Sequence, residues 1–386
     1  MKKPTAIITD VRYRMSLALI RDLAQSGVRV VAVEFDGKTS PLGFYSKYVE
    51  RTFFADEDKY LEQLYDVCRS EMNDSGQKPA LIPVGTATMN KLAVPEVRSR
   101  FAEVAGMALP SINQLELLND KERLHVLAGK LGIPVPQEYS APYEGILFPC
   151  VVKPLFGEKF GLKAAQRYKI AENMIQLKAA VAFYEKICGP NSVVVQQYLT
   201  GAGFGCSVFA ENGKVKASIT HQRIREYPIS GGPSTCCRVV HIGELQDYTE
   251  ALVKELSFTG VAMFEFKQDD KGNYYLLESN PRVWGSYPLT RCAKCNISQK
   301  WFESAFNNGN PDAHFKAPAT DFRDVRMHYA LSDMVAGLGY IKNGQIGLGF
   351  DAFADVFRVS AKGGLFEWGD IKPSLKYLGD RLKGKG

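Results

Sequence analysis

Two glutamates on either side of a turn are the residues of this chain whose spacing most clearly predicts chemistry. Glu265 and Glu278 lie in two stretches of strand character that are joined by the turn Asp269–Gly272. If Lys271 and Gly272 form a two-residue loop, Glu265 lies directly opposite Glu278. Facing carboxylates about 5 Å apart repel each other and destabilise a ladder. A cation bound between the two carboxylates would offset this repulsion.

Two further residues follow Glu278 on the same face. Side chains alternate along a strand, so Asn280 and then Arg282 point the same way as Glu278. Two carboxylates and an amide oxygen form a hard-cation site suited to Mg²⁺ that keeps several waters and shares phosphate oxygens. An exposed hairpin whose glutamates point to water is the alternative, and the Asn280–Arg282 segment favours the metal site.

A lysine before a glycine-interrupted loop predicts a phosphate contact. Lys153 ends an apolar strand, and Gly157 and Gly161 follow in a polar loop. Such a loop can close over polyphosphate while its N–H groups and the lysine meet the oxygens. Lys121 opens a helix and is a weaker candidate. Taken alone, each signal is weak: a surface turn is the simpler explanation for Lys153 and its glycines, and a solvated side chain is the simpler one for Lys121.

Two more segments have residue types that suit ligand binding. The strand Val193–Leu199 could offer a free backbone edge to an adenine, or could be an ordinary strand that ends in a turn. Arg223 and Arg225 precede Gly231 and Gly232, which combines fork-shaped donors with a backbone that can approach an anion. A solvated basic loop is the alternative for each of these residues.

The elements that must position these residues begin with alternating strand and helix signals. Apolar strands at Thr5–Thr9, Val28–Phe35 and Ala80–Val84 alternate with helical spacing, which predicts a doubly wound parallel sheet. Glu34 resembles a ribose-binding acid, but the first turn has no glycine where a dinucleotide needs close approach, so a nicotinamide role is excluded. Helical, strand and turn signals continue to about residue 310, and the last 75 or so residues are hard to read.

Composition excludes several classes of protein. The chain has 386 residues, which suggests two or three domains, and 45% hydrophobic and 23% charged residues, as ordinary globular proteins have. A net charge of +6 without a dense basic stripe argues against nucleic acid. The absence of an apolar run of about 20 residues or a signal peptide predicts a cytoplasmic protein with eight reduced cysteines. The lone CxxC at Cys292 is a weak metal or redox signal.

The order of these signals resembles the ATP-grasp superfamily. A lysine at the start of a helix that ends in GIPVP, a lysine after an apolar strand, a glycine loop, QQYL-x-G, and Glu–13 residues–Glu-x-Asn-Pro-Arg follow one another as in that superfamily. The resemblance covers roughly residues 1–310 and is closest to the carboxylate–amine ligases, with features of biotin carboxylase, the carbamoyl phosphate synthase large chain and D-aspartate ligase-like enzymes.

This resemblance implies a role for each motif residue. ATP phosphates would contact Lys121 and Lys153, the lid loop would be Gly157–Gly161, and adenine would lie against Gln196, Gln197, Tyr198 and Leu199. Mg²⁺ would bind Glu265, Glu278 and Asn280. The transferring phosphoryl group or acyl phosphate would contact Arg282, with Arg223 and Arg225, and the substrate would contact Ser230, Gly231 and Gly232. Two departures stand out. The hinge has Gln197 where the family usually has glutamate, and the lid is poor in glycine.

The expected fold is α/β, with α+β character in the C-terminal lobe: a doubly wound parallel sheet before a two-lobed ATP-grasp fold. The expected domains are residues 1–112, 113–310 with a lid at about 148–200, and a C-terminal extension at 311–386. The expected activity uses ATP and Mg²⁺, or alternatively Mn²⁺, to join a small-molecule carboxylate to an amine, with no nucleic-acid or membrane partner. A homodimer is left open. The alternatives are a small-molecule kinase, an enzyme that forms carboxyphosphate, and a non-catalytic ATP-binding module.

Overall fold

The computed structural model describes residues 3–35, 40–155, 162, 166, 168–229 and 231–383. Within these ranges the chain forms three sheets of four, seven and four strands. The predicted lid glycines Gly157 and Gly161 and the predicted substrate residue Ser230 lie outside the described residues.

The N-terminal sheet is parallel. Its strands and helices are β1 Thr5–Thr9, α1 Ser16–Gln25, β2 Arg29–Glu34, β3 Val49–Phe54, α2 Tyr60–Ser75, β4 Ala80–Ile82, α3 Thr86–Ala93 and α4 Pro95–Ala102. The strand order is β3-β2-β1-β4. Strand β1 is wholly buried and β2 is buried after Arg29, which is why both are continuous apolar runs in the sequence. The predicted parallel sheet is confirmed, but the pattern did not predict β3, which lies at the edge and exposes every second residue.

The acid at the end of β2 is used inside the fold. Glu34 is fully buried, accepts the backbone N–H of Arg12 at 2.8 Å and forms an ion pair with the Arg12 guanidinium. Burial raises the pKa of Glu34, while Arg12 opposes that rise. These contacts agree with the expectation that Glu34 does not bind a nicotinamide ribose.

A small antiparallel sheet follows two helices. The elements are α5 Ile112–Asn119, α6 Lys121–Lys130, β5 Glu138–Tyr139, β6 Cys150–Pro154, β7 Lys169–Ala171, α7 Met174–Cys188 and β8 Val193–Gln197. The strand order is β5-β8-β6-β7. Helix α6 begins at Lys121 because the Asp120 side chain accepts the N–H of Arg123, as its predicted N-cap role requires. This start fixes one predicted phosphate contact, Lys121, at a helix N-terminus.

The central sheet has seven strands. Its strands and their helices are β9 Gly203–Glu211, β10 Lys214–Glu226, β11 Ser234–Val239, α8 Gly243–Glu255, β12 Gly260–Gln268, β13 Tyr274–Asn280, α9 Pro288–Cys292, α10 Ile297–Gly309, β14 Arg326–His328 and β15 Ala361–Gly363. The order is β13-β12-β9-β10-β11-β14-β15. One face packs on the N-terminal unit in a shared core, where Trp301 Nε1 donates to the Ala108 carbonyl at 2.8 Å. The other face packs on α8.

The C-terminal residues are built into both neighbouring units. Strands β14 and β15 extend the central sheet, and the helices α11 Ala330–Lys342, α12 Ile346–Ala354 and α13 Lys372–Leu382 complete the chain. Asp370 joins this part to the N-terminal unit, because its carboxylate accepts from Arg21 Nε at 2.9 Å and from Ser46 Oγ at 2.8 Å. The expectation that residues 311–386 pack on the core agrees with these contacts, and the domain boundaries stay a prediction.

Candidate active site

The two predicted metal ligands face each other across β12 and β13. Glu265 pairs with Glu278 in the ladder, which confirms the predicted pair. The predicted two-residue loop is wrong, since residues 269–273 connect the strands. Asp269 closes this longer loop because its carboxylate accepts from the backbone N–H of Asn273 at 2.8 Å and of Lys271 at 2.9 Å.

A β-bulge reconciles the longer loop with the predicted pair. Next to the turn, Phe266 pairs with Leu276, and the following pair is Glu265 with Glu278, so Leu277 is the extra residue. Without a bulge, Glu265 would face Leu277 and Glu278 would point to the opposite face of the sheet, because side chains alternate with period 2. The bulge therefore places both carboxylates on one face.

Asn280 completes the predicted donor set on this face. Its Nδ2 donates to Glu265 Oε1 at 3.0 Å, which leaves the amide oxygen as the atom that could bind a cation. Two carboxylates and one amide oxygen are hard donors of the kind that Mg²⁺ prefers, with phosphate oxygens and waters to fill its octahedron. The residues present therefore fit a magnesium ion.

Cations on neighbouring elements surround the two carboxylates. Lys121 Nζ lies 2.8 Å from Glu278 Oε2, and Arg223 forms an ion pair with Glu265. Burial, opposed by Arg223 and reinforced by Glu278, raises the pKa of Glu265. Burial would also raise the pKa of Glu278, but Lys121, Lys153 and Arg223 together lower it to about 2. One carboxylate of the pair is thus firmly ionised.

The structure brings Lys153 to the same place from the small sheet. Lys153 lies on β6, and burial followed by the charge of Lys121 lowers its pKa to about 8, although Glu278 and Glu138 act in the opposite direction. Two lysines that repel each other beside a carboxylate form a setting in which a polyanion is favourable. Lys121 and Lys153 therefore lie beside the paired carboxylates, and their contacts to ATP phosphates stay a prediction.

The hinge differs from its prediction in one respect. Strand β8 pairs with β6 along its whole length and with β5 at Val195 and Gln196, so little of its backbone edge is left free. The buried Gln196 directs its Nε2 to Glu138 Oε1 at 2.7 Å, and the backbone N–H of Gln197 donates to the Gln137 carbonyl at 2.8 Å. Backbone contacts to an adenine would have to come from Tyr198 and Leu199, beyond the strand.

The two arginines of β10 point to opposite faces. Arg223 pairs with Cys237 and Arg225 with Cys236, so the ladder shifts by one residue between them. Because adjacent residues on β11 face opposite ways, Arg223 reaches Glu265 while Arg225 turns to the other side. The catalytic role expected for Arg225 is therefore wrong.

Arg225 is part of a buried ion network. Its side chain is fully buried, with Nε 2.9 Å and Nη2 2.7 Å from the two oxygens of Asp333, and it also pairs with Asp355. Cys236, Asp333 and Asp355 could geometrically hold a metal ion, but the arginines Arg225, Arg326 and Arg358 already satisfy these carboxylates. This network fastens the C-terminal helices to β10.

The glycines of the predicted substrate loop serve the loop itself. Both Gly231 and Gly232 donate their N–H groups to the Pro228 carbonyl, at 3.2 and 2.8 Å. A Cβ at Gly231 would overlap the Tyr168 ring, and one at Gly232 would overlap the Tyr227 carbonyl group. The Pro228 carbonyl thus accepts both N–H groups, and the expectation that this backbone comes close to a substrate stays a prediction.

Arg282 lies directly after the metal strand. Its Nη1 donates to the Val283 carbonyl at 3.1 Å, and its charge helps to oppose the raised pKa of Glu265. The predicted site residues that the structure brings together are Lys121, Lys153, Arg223, Glu265, Glu278, Asn280 and Arg282.

The sequence reasoning missed His221 and the glycines beside it. Gly205 lies between Glu265 and His221 in one row across the sheet, and a Cβ there would overlap the imidazole. Burial, with the charge of Arg223, lowers the pKa of His221 to about 3, so the ring is neutral, and its Nε2 lies 3.2 Å from Ser286 Oγ. The signal was Gly203-Phe-Gly205, since glycines two apart in a strand mark a close approach on one face.

Comparison with known proteins adds the family. Residues 190–329 match the family described as ATP-grasp in the biosynthetic pathway with Ter operon. This range includes the hinge strand β8 and the hairpin that carries Glu265 and Glu278. The chain contains an ATP-grasp domain. The predicted resemblance to the ATP-grasp superfamily is therefore confirmed.

One curated relative resembles this chain over most of the chain's length. The carbamoyl phosphate synthase large chain of Methanocorpusculum labreanum is 21% identical over 287 residues, which are 70% of this chain and 26% of the relative. The chain thus spans about a quarter of the length of that relative.

Two solved structures show the same fold. Biotin carboxylase from Campylobacter jejuni, as a complex with β-γ-ATP, has a TM-score of 0.63 at 14% identity over 84% of this chain and 74% of its own. L-amino acid ligase from Bacillus licheniformis has a TM-score of 0.53 at 17% identity over 79% of this chain and 74% of its own. The predicted two-lobed ATP-grasp fold is confirmed. None of the helices described here is long and apolar enough to cross a membrane.

Proposed function

We propose that this protein is an ATP- and Mg²⁺-dependent ligase that activates a small-molecule carboxylate as an acyl phosphate and joins it to an amine. The observation that carries the proposal is the convergence of Glu265, Glu278 and Asn280 on one face, with Lys121 and Lys153 beside Glu278. A carboxylate and an amine do not condense unaided near neutral pH, and a site for magnesium and polyphosphate supplies the missing activation.

The chain's own residues would act by position and charge. ATP would supply the phosphoryl group, and the bound magnesium would neutralise part of the charge on the phosphates. The metal would be held by Glu265, Glu278 and Asn280. The phosphate oxygens would be held by Lys121 and Lys153, and their negative charge would offset the repulsion between the two lysines. Such preorganised charges stabilise phosphoryl transfer without covalent participation by the protein.

Two bonds are exchanged in the reaction that we propose. A substrate carboxylate oxygen attacks the γ-phosphorus, and the bond from that phosphorus to ADP breaks. The amine nitrogen then attacks the acyl carbon, phosphate leaves, and the nitrogen loses a proton to give the amide. Arg282 and Arg223 border the face on which negative charge develops, because both act on the carboxylate of Glu265.

Release of ADP and phosphate tests the proposal. The purified chain is incubated with Mg·ATP and a matrix of amino acids and other small acids as donors and amines as acceptors. We expect ADP to form only when both an acid and an amine are present, with one amide per ADP by mass spectrometry. Formation of AMP, or ADP release that no amine affects, would overturn the ligase.

The fold likeness to biotin carboxylase favours one alternative. An enzyme on the same scaffold could phosphorylate bicarbonate and pass the carboxyl group to an acceptor. ADP release that depends on bicarbonate, with ¹³C label from bicarbonate in the product, would establish this alternative. A stable phosphorylated product would instead indicate a small-molecule kinase.

A further inference from the structure

The bulge that aligns the two metal ligands is held from outside the sheet. Strand β13 is an edge strand, so its outer side is open to partners from other elements. His125 on α6 places Nε2 3.1 Å from the carbonyl oxygen of Leu277, the extra residue of the bulge. The N–H of Leu276 donates to the Pro134 carbonyl at 2.8 Å just beside it. Two contacts therefore fix the bulge, and one is a side chain.

The other nitrogen of His125 reaches the small sheet. Its Nδ1 lies 3.1 Å from Glu138 Oε1, and the same oxygen accepts from Gln196 Nε2 at 2.7 Å. His125 is largely buried, with 7% of its surface exposed. A continuous path of hydrogen bonds thus runs from the hinge strand through Glu138 and His125 to the bulge before Glu278.

Both partners of His125 are acceptors. A carbonyl oxygen and a carboxylate oxygen only accept hydrogen bonds, so a protonated ring nitrogen donates to whichever of them it faces. The hydrogen bond from His125, reinforced by Gln196, lowers the pKa of Glu138 against the effect of burial.

Other charged groups surround this pair. Glu138 lies on β5 and Lys153 on β6, close enough to each other for their charges to interact. Lys121 begins the helix that carries His125, and Glu278 follows the bulge on β13. His125 and its partners therefore lie among two lysines and two carboxylates, those of Glu138 and Glu278.

We propose that His125 is a positioning residue that holds the Leu277 bulge and so keeps Glu278 on the face of Glu265. This inference rests on the proposed function only in calling Glu278 a metal ligand. His125 would not touch ATP or substrate. It acts on the backbone, and it couples the hinge of the small sheet to the metal ligands of the central sheet.

Manganese binding tests the positioning role without an assay of turnover. Mn²⁺ binding to the full chain in the presence of ADP is measured by electron paramagnetic resonance for wild type, His125→Ala and Val126→Ala. Residues that orient metal ligands typically contribute about 10- to 100-fold to metal affinity. We expect a loss of that size in His125→Ala and no more than about a twofold change in the control, since Val126 is 56% exposed on the same helix.

A second measurement tests the bridge without a metal. The Leu276 N–H donates to the Pro134 carbonyl beside the bulge, and we expect it to exchange with solvent faster in His125→Ala than in the wild type or Val126→Ala.

The outcomes separate this inference from the proposed function. If the wild type binds neither Mn²⁺ nor ADP, the proposed function fails, while hydrogen exchange at Leu276 still reports on the bridge. If the wild type binds both and His125→Ala binds them equally well, the positioning role is overturned. If His125→Ala does not fold, His125→Gln replaces it, since its amide can reach one acceptor and should show intermediate affinity.

Discussion

Two arginines on one strand should respond to substitution in opposite ways. Arg223→Leu should abolish activity and leave the protein folded, whereas Arg225→Leu should destabilise it strongly. The two side chains are only two residues apart, but the shift in the β10–β11 ladder sends them to opposite faces of the central sheet. The variants are therefore matched in sequence position and chemistry and differ in burial.

The loss of folding free energy in each variant depends on which partners the removed arginine leaves unpaired. Within the described part of the chain, removing Arg225 leaves Asp333 with the Thr235 hydroxyl at 2.8 Å and His328 at 3.9 Å, while Asp355 keeps Arg326 and Arg358. Breaking a buried ion pair from one side costs about 3–5 kcal/mol, a large part of the 5–15 kcal/mol that typically stabilises a folded protein. The Arg223–Glu265 pair is partly exposed, with Arg223 25% exposed, so its loss should cost about 1 kcal/mol.

Urea unfolding and ADP release on the same preparations measure both effects. We expect Arg225→Leu to lower the unfolding midpoint substantially while the folded fraction keeps much of its activity. Asp333→Asn serves as the milder partner, because its amide oxygen still accepts one hydrogen bond from Arg225. Wild-type stability together with lost activity in Arg225→Leu would show that Arg225 acts in catalysis and that its burial has been misjudged.

Three more expectations follow from the site. Glu278→Gln should abolish turnover and keep the fold, because it removes a ligand charge and the repulsion with Glu265; circular dichroism and ADP release check this, and an unfolded variant would mean that the hairpin is structural. Lys153→Met should weaken ADP binding yet be more stable than wild type near pH 7. The folded pKa of Lys153 is about 8, below its ordinary 10.5, so the buried charge destabilises the fold fully below about pH 8 and progressively less up to about pH 10. Thermal unfolding near pH 7 and near pH 10 should show that the stability difference between Lys153→Met and wild type shrinks at the higher pH. A difference that stays constant would contradict the assignment of this effect to the charge of Lys153. Gly205→Ala should cost about 1–3 kcal/mol by overlap with His221, and adding His221→Ala should recover part of that cost in urea unfolding; simple additivity of the two effects would show that the two residues do not interact.

Much of the fold is readable in the sequence because its signals are local. The buried strands β1 and β2 are continuous apolar runs, and the Asp120 cap marks the start of α6. The motif order predicted the ATP-grasp fold, since a hairpin with paired glutamates and a lysine before a glycine loop keep their spacing along the chain. Strand β3 was missed because an edge strand with alternate exposed residues has no such run.

The partners of individual side chains were decided by the tertiary structure. The sequence determined that Glu265 and Glu278 would be near each other, but the loop closed by Asp269 shifts the register, and only the bulge at Leu277 returns both carboxylates to one face. The shift after Arg223 likewise turns Arg225 from a predicted catalytic residue into the anchor of the C-terminal helices. A bulge inserts one residue, and one residue reverses the face of every side chain beyond it. The bulge at Leu277 and the shift after Arg223 are stabilised by residues from distant segments, such as His125 and Asp333. No local pattern in the sequence therefore predicts either of them.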